Sequence, residues 1–222
     1  MSGGYVLCEW KDVQRQAPEF QATFAALEND IIRKTNEDWS PRTCGYMLPN
    51  SDQYGRTTIL PAAFRGNGMT YSTTPVAGTN FLPHWRQSLT TASTTTTQQT
   101  LIMGERNGDL IPEDLKIAWI GLAFPNKQQH ITEVRWQIGD RKFGRINLEP
   151  MLAYDTPALI FEDGYVLDEE TGFHLYGYID GPIPAVPWAP DTDVIYQSVV
   201  MLGAMYYKNI NKILGNTGAI IP

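Results

Sequence analysis

The spacing of apolar residues predicts a helix near the start of the chain. Four apolar residues recur at intervals of three or four positions, which places them on one helical face. They are Phe20, Phe24, Leu27 and Ile31. Pro18 suits the first turn of this helix, because its missing N–H would have no partner there anyway. The pattern predicts a helix over residues 18–34.

Short apolar runs separated by turn signals fill residues 116–179, and this pattern is typical of antiparallel strands. The run from Ile117 to Phe124 is almost continuously apolar, which favours a strand covered on both faces. Three more strands are predicted, the first two on either side of a turn at Asp163-Gly164: residues 158–161, 165–167 and 173–179. We expect residues 116–179 to form the β core.

The sequence also predicts the register of one hairpin in this region. Every second residue of 133–138 is apolar, as in a half-buried strand, and Gly139-Asp140 is a hairpin-turn signal. The alternation is broken once on the return strand. One extra residue near Gly144 restores it, so a bulge is predicted there, with Trp136 and Phe143 on the buried face.

A second run with helical spacing lies near the end of the chain. Its apolar residues recur every three or four positions: Ile195, Val199, Leu202, Tyr206, Ile210 and Ile213. Asp191 or Thr192 can cap a helix there, and Gly215 can end it. We predict a helix over residues 193–214. A long strand is the alternative, because Val, Ile and Tyr are abundant in this run.

Two segments lack the pattern of a helix or of a core strand. Residues 90–100 are polar and Thr-rich, and we expect an extended segment that becomes ordered only against a neighbour. Residues 181–190 contain four prolines, which excludes a helix and favours an extended strap. Long connections of this kind suit a subunit that clasps neighbouring copies.

Together these elements predict a single domain of the mainly β class, spanning residues 1–222. The expected architecture is an antiparallel sandwich or jelly-roll-like β domain with an N-terminal and a C-terminal α-helix. Hydrophobic residues make up 42% of the chain, which is enough for a core. Charged residues make up 18%, fewer than in an average domain.

The charge balance argues against direct recognition of nucleic acid. The chain has 17 Lys and Arg against 24 Asp and Glu, a net charge of −7, and it has no basic run. Proteins that neutralise phosphates carry a basic patch or stripe. We therefore expect no sequence-specific contact with nucleic acid. No apolar run is long enough to predict a membrane span.

Candidate catalytic chemistry is sparse in this sequence. Three His and two Cys share no metal or nucleophile motif, and no phosphate-cradling glycine loop occurs. The acidic turn Asp168-Glu169-Glu170 has two interpretations. It is either a solvated hairpin tip or, together with Glu162 and Asp163, part of a Ca²⁺ site. We expect a non-enzymatic protein without a cofactor or a metal.

In general texture the chain resembles virion structural proteins of bacterial and archaeal viruses. The likeness consists of a start without a secretory signal, a β domain, proline straps and few charges, and it involves no specific motif. It implies a coat or capsid subunit in a virion made in the host cytoplasm, with copies of itself and other structural subunits as partners. Two alternatives stay open: a head–neck or tail connector subunit of a tailed virus, and a carbohydrate- or ligand-binding β module.

Six residues are candidate assembly contacts. Tryptophan is enriched at the centre of protein interfaces, and the polar Thr tract and the apolar end of the chain have no evident purpose in a lone subunit. The candidates are Trp85, Trp188, Thr94, Thr96, Ile220 and Ile221.

Overall fold

Strands dominate a computed structural model of the chain, which is mainly β, with two antiparallel sheets and few helices. The structure describes residues 5–8, 18–38, 55–66, 85–90, 97–104, 109–125, 130–179 and 194–208. The strands are β1 (Tyr5–Cys8), β2 (Gly55–Thr58), β3 (Phe64–Gly66), β4 (Arg86–Thr90), β5 (Thr97–Gly104), β6 (Leu115–Ala123), β7 (Glu133–Ile138), β8 (Arg141–Lys142), β9 (Ile146–Asn147), β10 (Ala158–Leu167), β11 (Phe173–Ile179), β12 (Val194–Ser198) and β13 (Val200–Tyr207). The helices are α1 (Pro18–Asp38) and α2 (Glu149–Tyr154), with a 3-10 turn at Pro61–Ala63.

The strands form two main sheets and a short ribbon. Sheet 1 has five strands in the order β1-β10-β6-β13-β2. Sheet 2 has the order β3-β5-β11-β7, and both β8 and β9 pair with the outer side of β7. All of these pairs are antiparallel. β12 and β4 form the separate two-stranded ribbon, and β12 leads directly into β13.

The two sheets share one hydrophobic core, with aromatic rings at its centre. Trp119 of β6 contacts Trp136 of β7 and Phe173 of β11, with 5.4 Å between ring centroids in both pairs. Phe161 of β10 contacts both tryptophans at 4.8 Å. The core extends from Ile59 to Met205, so strands before and after the predicted core region also contribute to it.

Helix α1 covers the other face of sheet 1. It begins at Pro18, includes the segment predicted to be helical and continues to Asp38. Ile31 is fully buried in a cluster with Ala118 of β6 and Tyr206 of β13. β6 therefore lies between the helix and the core, and eight of its nine residues are buried. The prediction of a strand covered on both faces is confirmed.

The predicted hairpin and its bulge are also confirmed. β8 pairs with the end of β7 and β9 with its beginning, and the register shifts by one residue between the two pairings. The extra residue lies between Phe143 and Ile146, as predicted around Gly144. Trp136 is 3% exposed, and Phe143 stacks against it with 5.6 Å between ring centroids.

One predicted turn is wrong. Residues 158–167 form the single strand β10 instead of two strands on either side of Asp163-Gly164. β10 pairs with β6 on both sides of this point, and the register shifts between Ile160 and Tyr165. Gly164 has a φ of +65°. This left-handed residue accommodates an irregularity within one strand rather than a reversal of the chain.

The predicted C-terminal helix over 193–214 is wrong for its described residues, which form β12 and β13. β13 lies inside sheet 1 and pairs with both β6 and β2. A strand between two neighbours and two covering layers is apolar on both faces, so its apolar residues also satisfy a helical spacing. Residues 209–214 lie outside the described part.

The Thr-rich segment 90–100 is described only at its ends. Residues 97–100 open β5 and pair with β11 of the same chain, and Gln99 is buried there. The predicted extended conformation is confirmed for these four residues, whereas the expectation that they become ordered only against another subunit is wrong, because their partner strand belongs to the same chain. The proline-rich strap predicted at 181–190 lies outside the described residues.

Candidate functional site

The outer face of sheet 2 carries a row of aromatic and polar side chains. Phe173 and its alternate neighbours in β11 pack into the core. Successive side chains of a strand point to opposite faces, so His174, Tyr176 and Tyr178 lie on the outer face. The register places Arg135 of β7 directly opposite Tyr176.

Five of these side chains form a continuous column, which we call the Tyr–Arg stack: His174, Tyr176, Arg135, Tyr178 and Arg145. The rings of His174 and Tyr176 are stacked, with 5.6 Å between centroids and 4° between planes. The Arg135 guanidinium carbon lies 5.2 Å from the centroid of Tyr176 and 5.8 Å from that of Tyr178. Arg145 lies 4.0 Å from the centroid of Tyr178. A guanidinium that lies within about 6 Å of the centroid of an aromatic ring is attracted by the ring electrons.

Hydrogen bonds fix the stack in place. Gln98 Oε1 accepts from the Tyr178 hydroxyl at 2.8 Å and from Arg135 Nη2 at 3.1 Å. Glu133 accepts from Arg145 Nη1 at 3.3 Å. These neighbours leave Tyr178 only 2% exposed, although it lies on the outer face. Contacts within the chain therefore hold the Arg135 guanidinium between the two tyrosine rings.

One donor of the stack stays unused. Arg135 Nε is buried and has no hydrogen-bond partner among the described residues. A buried N–H without a partner costs about 1–3 kcal/mol, so native structures contain few of them. Burial also raises the pKa of Tyr176 above its ordinary value of 10.0.

Asp109 anchors one end of the stack. His174 Nε2 lies 2.8 Å from Asp109 Oδ2, and Arg65 Nη2 binds the other carboxylate oxygen. Arg65 is buried, and its Nε donates to the Gly104 carbonyl at 3.2 Å. The trio ties β11 to β3 and to the end of β5. His174 therefore has a structural partner on its ring nitrogen.

A buried ammonium group occupies a separate polar cluster. The Lys116 side chain is 1% exposed, and its Nζ lies 2.5 Å from Asp168 Oδ1 and 3.3 Å from Glu169 Oε1. Glu169 also accepts from the Asp114 N–H at 2.9 Å. The acidic turn thus neutralises a buried cation. Within the ranges that the structure describes, no group of three or more acidic, His or Cys side chains is placed to hold a metal ion.

A third polar cluster joins α1 to sheet 1. The Tyr206 hydroxyl donates to Glu28 Oε1 at 2.6 Å, and Arg56 Nε donates to the same oxygen at 2.7 Å. Burial, followed by the hydrogen bond to Glu28, raises the pKa of Tyr206 to about 12. The bond to Glu28 also raises the pKa of Arg56. These three side chains hold the helix on the sheet beside its apolar contacts.

Of the six predicted assembly contacts, the structure describes only Trp85. It is half-buried and packs against Phe64 of its own core, with 6.0 Å between ring centroids. Its carbonyl accepts from the Val199 N–H. Trp85 thus has an internal packing role. The other predicted contacts lie outside the described residues: Trp188, Thr94, Thr96, Ile220 and Ile221.

Sequence reasoning did not find the Tyr–Arg stack. The alternation of His174, Tyr176 and Tyr178 in one strand was a visible signal for a shared face. The residues that complete the stack lie outside β11, Arg135 in β7 and Arg145 in the bulge between β8 and β9. Their positions beside the tyrosines depend on the pairing register, which the alternation of a single strand does not define.

Comparison with protein-family models, with curated proteins and with solved structures finds no match to this chain. Neither of the described helices has both the length and the hydropathy required to cross a bilayer.

Proposed function

We propose that the chain has a jelly-roll fold, in which eight strands form two Greek keys across two sheets. The strand order supports this proposal. Sheet 1 contains β2-β13-β6-β10 as consecutive neighbours. Sheet 2 contains β3, β11, β7 and β9 in that spatial order, with β5 inserted between β3 and β11. β1 extends sheet 1 beyond β10.

The order of these eight strands along the chain supports the same fold. A jelly roll corresponds to a long hairpin rolled up, so its first and last strands pair and its middle strands form a hairpin. β2 pairs with β13, β6 with β10, and β7 with β9. Successive strands of the set change sheets at every step except between β7 and β9.

We further propose that the protein is a non-enzymatic structural subunit that assembles with copies of itself, a coat or capsid protein of a bacterial or archaeal virus. The nested strand pairing carries this proposal, because jelly rolls are the fold of many viral capsid proteins. The same fold serves lectins and cupins, so this step is an analogy of fold. The virion is the corresponding location, and other structural subunits are further partners.

The Tyr–Arg stack favours the assembly role over the alternative of a carbohydrate-binding module. A sugar ring stacks on the open face of an aromatic side chain. A protein partner at an interface does not need such an open face. In the stack, Tyr176 lies between His174 and Arg135, and Tyr178 contacts both Arg135 and Arg145. Tyr and Arg are the residues enriched at protein interfaces. The connector alternative implies a ring subunit with its two terminal helices packed around a β domain, and β12 and β13 occupy the described part of the predicted second helix.

The test is the size of the purified protein in solution, measured by light scattering and electron microscopy over a range of concentrations. We expect discrete particles, sheets or rings. A monomer of 24.9 kDa at every concentration, together with millimolar or tighter binding of a simple sugar in calorimetry, would instead establish the ligand-binding module. Deletion of residues 217–222, which include Ile220 and Ile221, is expected to reduce assembly and to leave the thermal unfolding temperature unchanged.

A further inference from the structure

Arg135 is held in an unusually fixed position for an arginine on an outer sheet face. Its guanidinium lies between the rings of Tyr176 and Tyr178, at 5.2 and 5.8 Å from their centroids. Gln98 fixes the Nη2 end at 3.1 Å. An arginine ordinarily loses considerable side-chain entropy when a partner immobilises it. For Arg135, folding of the chain itself already restricts the side chain, so a partner would cause little further loss of side-chain entropy.

The charge of Arg135 has no carboxylate partner within the described part of the chain. The acidic residue two positions earlier, Glu133, pairs with Arg145 at 3.3 Å. Among the described residues, the Arg135 guanidinium donates to the neutral amide oxygen of Gln98, and its buried Nε has no partner. A half-buried guanidinium without a carboxylate partner among the described residues is suited to bind an external carboxylate through its terminal Nη groups, whereas the buried Nε is out of reach of a second copy.

The charge distribution of the chain indicates where such a carboxylate comes from. Residues 133–147 hold four cationic and two acidic side chains, whereas the rest of the chain holds 13 cationic and 22 acidic ones. Lys142 and Arg145 of this hairpin are exposed on the same outer face as Arg135, since Lys142 pairs opposite Gln137 and the Arg145 guanidinium lies over Tyr178. A locally positive face on an acidic protein is complementary to the remaining surface of a second copy.

We infer that Arg135 binds a carboxylate of a second copy of this chain, so that the outer face of sheet 2 is a subunit interface. The inference rests on the proposed assembly function and names the contact that drives it. Because a positive face meets a different, acidic face, the contact is heterologous, and such contacts build rings or extended arrays rather than closed pairs.

The first test compares assembly of the wild type, Arg135→Gln and Arg33→Gln by light scattering. Arg33→Gln is the matched control, since it removes the same charge from an exposed residue of α1 that pairs with Asp30. We expect Arg135→Gln to raise the concentration needed for half-assembly by about tenfold or more, the size of one charge-assisted pair. Arg33→Gln is expected to assemble like the wild type. Circular dichroism and thermal unfolding confirm that each variant is folded.

The second test identifies the partner group directly. Arg135→Lys places an amine in the stack, and a carbodiimide then joins that amine to any adjacent carboxylate. Mixing isotopically labelled and unlabelled protein before treatment distinguishes links between copies from links within one copy. We expect peptides from two copies joined through position 135 to an Asp or Glu.

The outcomes separate the two proposals. The inference is overturned if the wild type assembles and Arg135→Gln assembles equally well, or if position 135 forms crosslinks only within one copy. Either result leaves the structural-subunit function standing. A wild type that remains monomeric overturns both.

Discussion

Trp119 of β6 and Trp136 of β7 meet edge to face across the two sheets, with 5.4 Å between ring centroids and 80° between planes. The Trp119 indole N–H donates to the Gly121 carbonyl at 2.7 Å, which fixes the ring in the core. This contact joins the two sheets at the centre of the core, and edge-to-face geometry is a favoured arrangement for aromatic rings.

Trp136→Ala is expected to lower the free energy of unfolding by about 3–5 kcal/mol, because it leaves a large cavity beside Trp119. Urea denaturation followed by circular dichroism measures the loss. Tyr154→Ala is the control, since Tyr154 is 71% exposed and should change stability little. Equal losses in both variants would show that Trp136 does not join the sheets as described.

The pair formed by Lys116 and the acidic turn should respond asymmetrically to mutation. Asp168→Asn combined with Glu169→Gln leaves the buried ammonium without these two carboxylates, and we expect a loss of about 3–5 kcal/mol. Lys116→Met removes the buried charge itself, so its loss should be much smaller. Chemical denaturation of both variants, and of the variant that combines all three changes, measures the effect. A larger loss in Lys116→Met than in the double acid variant would contradict this account.

Tyr206 makes stability depend on pH in the alkaline range. Its folded pKa of about 12 lies above the ordinary value of 10.0, so between these values the folded chain keeps a proton that the unfolded chain loses. The contribution is complete below the unfolded pKa and is lost as the pH rises through the folded pKa. We therefore expect the stability advantage of the wild type over Tyr206→Phe to shrink from about pH 10 upward.

Denaturation of the wild type and of Tyr206→Phe at several pH values measures the difference between their free energies of unfolding. The other tyrosines and the lysines titrate in both proteins, so their effect cancels in this difference. Tyr154→Phe is the control for a hydroxyl that lies at the surface. An advantage that stays constant across the alkaline range would mean that burial and the hydrogen bond to Glu28 do not raise the pKa of Tyr206 in the folded chain.

Gly164 should tolerate a side chain less well than Gly139. Both have positive φ, +65° and +56°, so an alanine at either position costs about 1–2 kcal/mol in backbone strain. A Cβ on Gly164 would also lie 2.9 Å from Leu27 Cδ2 of α1, whereas nothing lies within 4 Å at Gly139. We expect Gly164→Ala to lower stability more than Gly139→Ala does. Combining Gly164→Ala with Leu27→Ala should reduce this additional loss, because the clashing side chain is then shorter. Thermal unfolding of the two single variants and the double variant measures it, and equal losses would argue against close contact with α1.

The local sequence pattern was sufficient to predict those elements whose two faces lie in different environments. The strand β7 alternates because one face meets the core and the other does not, so the sequence predicted its buried residues and the bulge near Gly144. β11 begins at Phe173 and ends at Ile179, as predicted. The nearly continuous apolar run of β6 predicted a strand that is covered on both faces. It did not identify α1 as the element that covers one of these faces.

The candidate site was less accessible to sequence reasoning, because its members are distant in the chain. Tyr176 and Arg135 are paired across two strands, and Gln98 comes from a third. The only predicted assembly residue that the structure describes, Trp85, packs internally. Aromatic composition alone does not distinguish a core ring from an interface ring, since both bury large apolar areas.

The sequence by itself determined the mainly β class, the hairpin register and the acidic balance of the chain, because these depend on composition and on neighbours a few residues apart. The tertiary structure alone decided that residues 194–207 are strands, that Gly164 bends one strand rather than joining two, and that Lys116 meets Asp168. Each of these outcomes depends on contacts between distant segments. An apolar run covered on both faces satisfies helical and extended spacing equally, and a buried charge is stable only where the fold brings its partner.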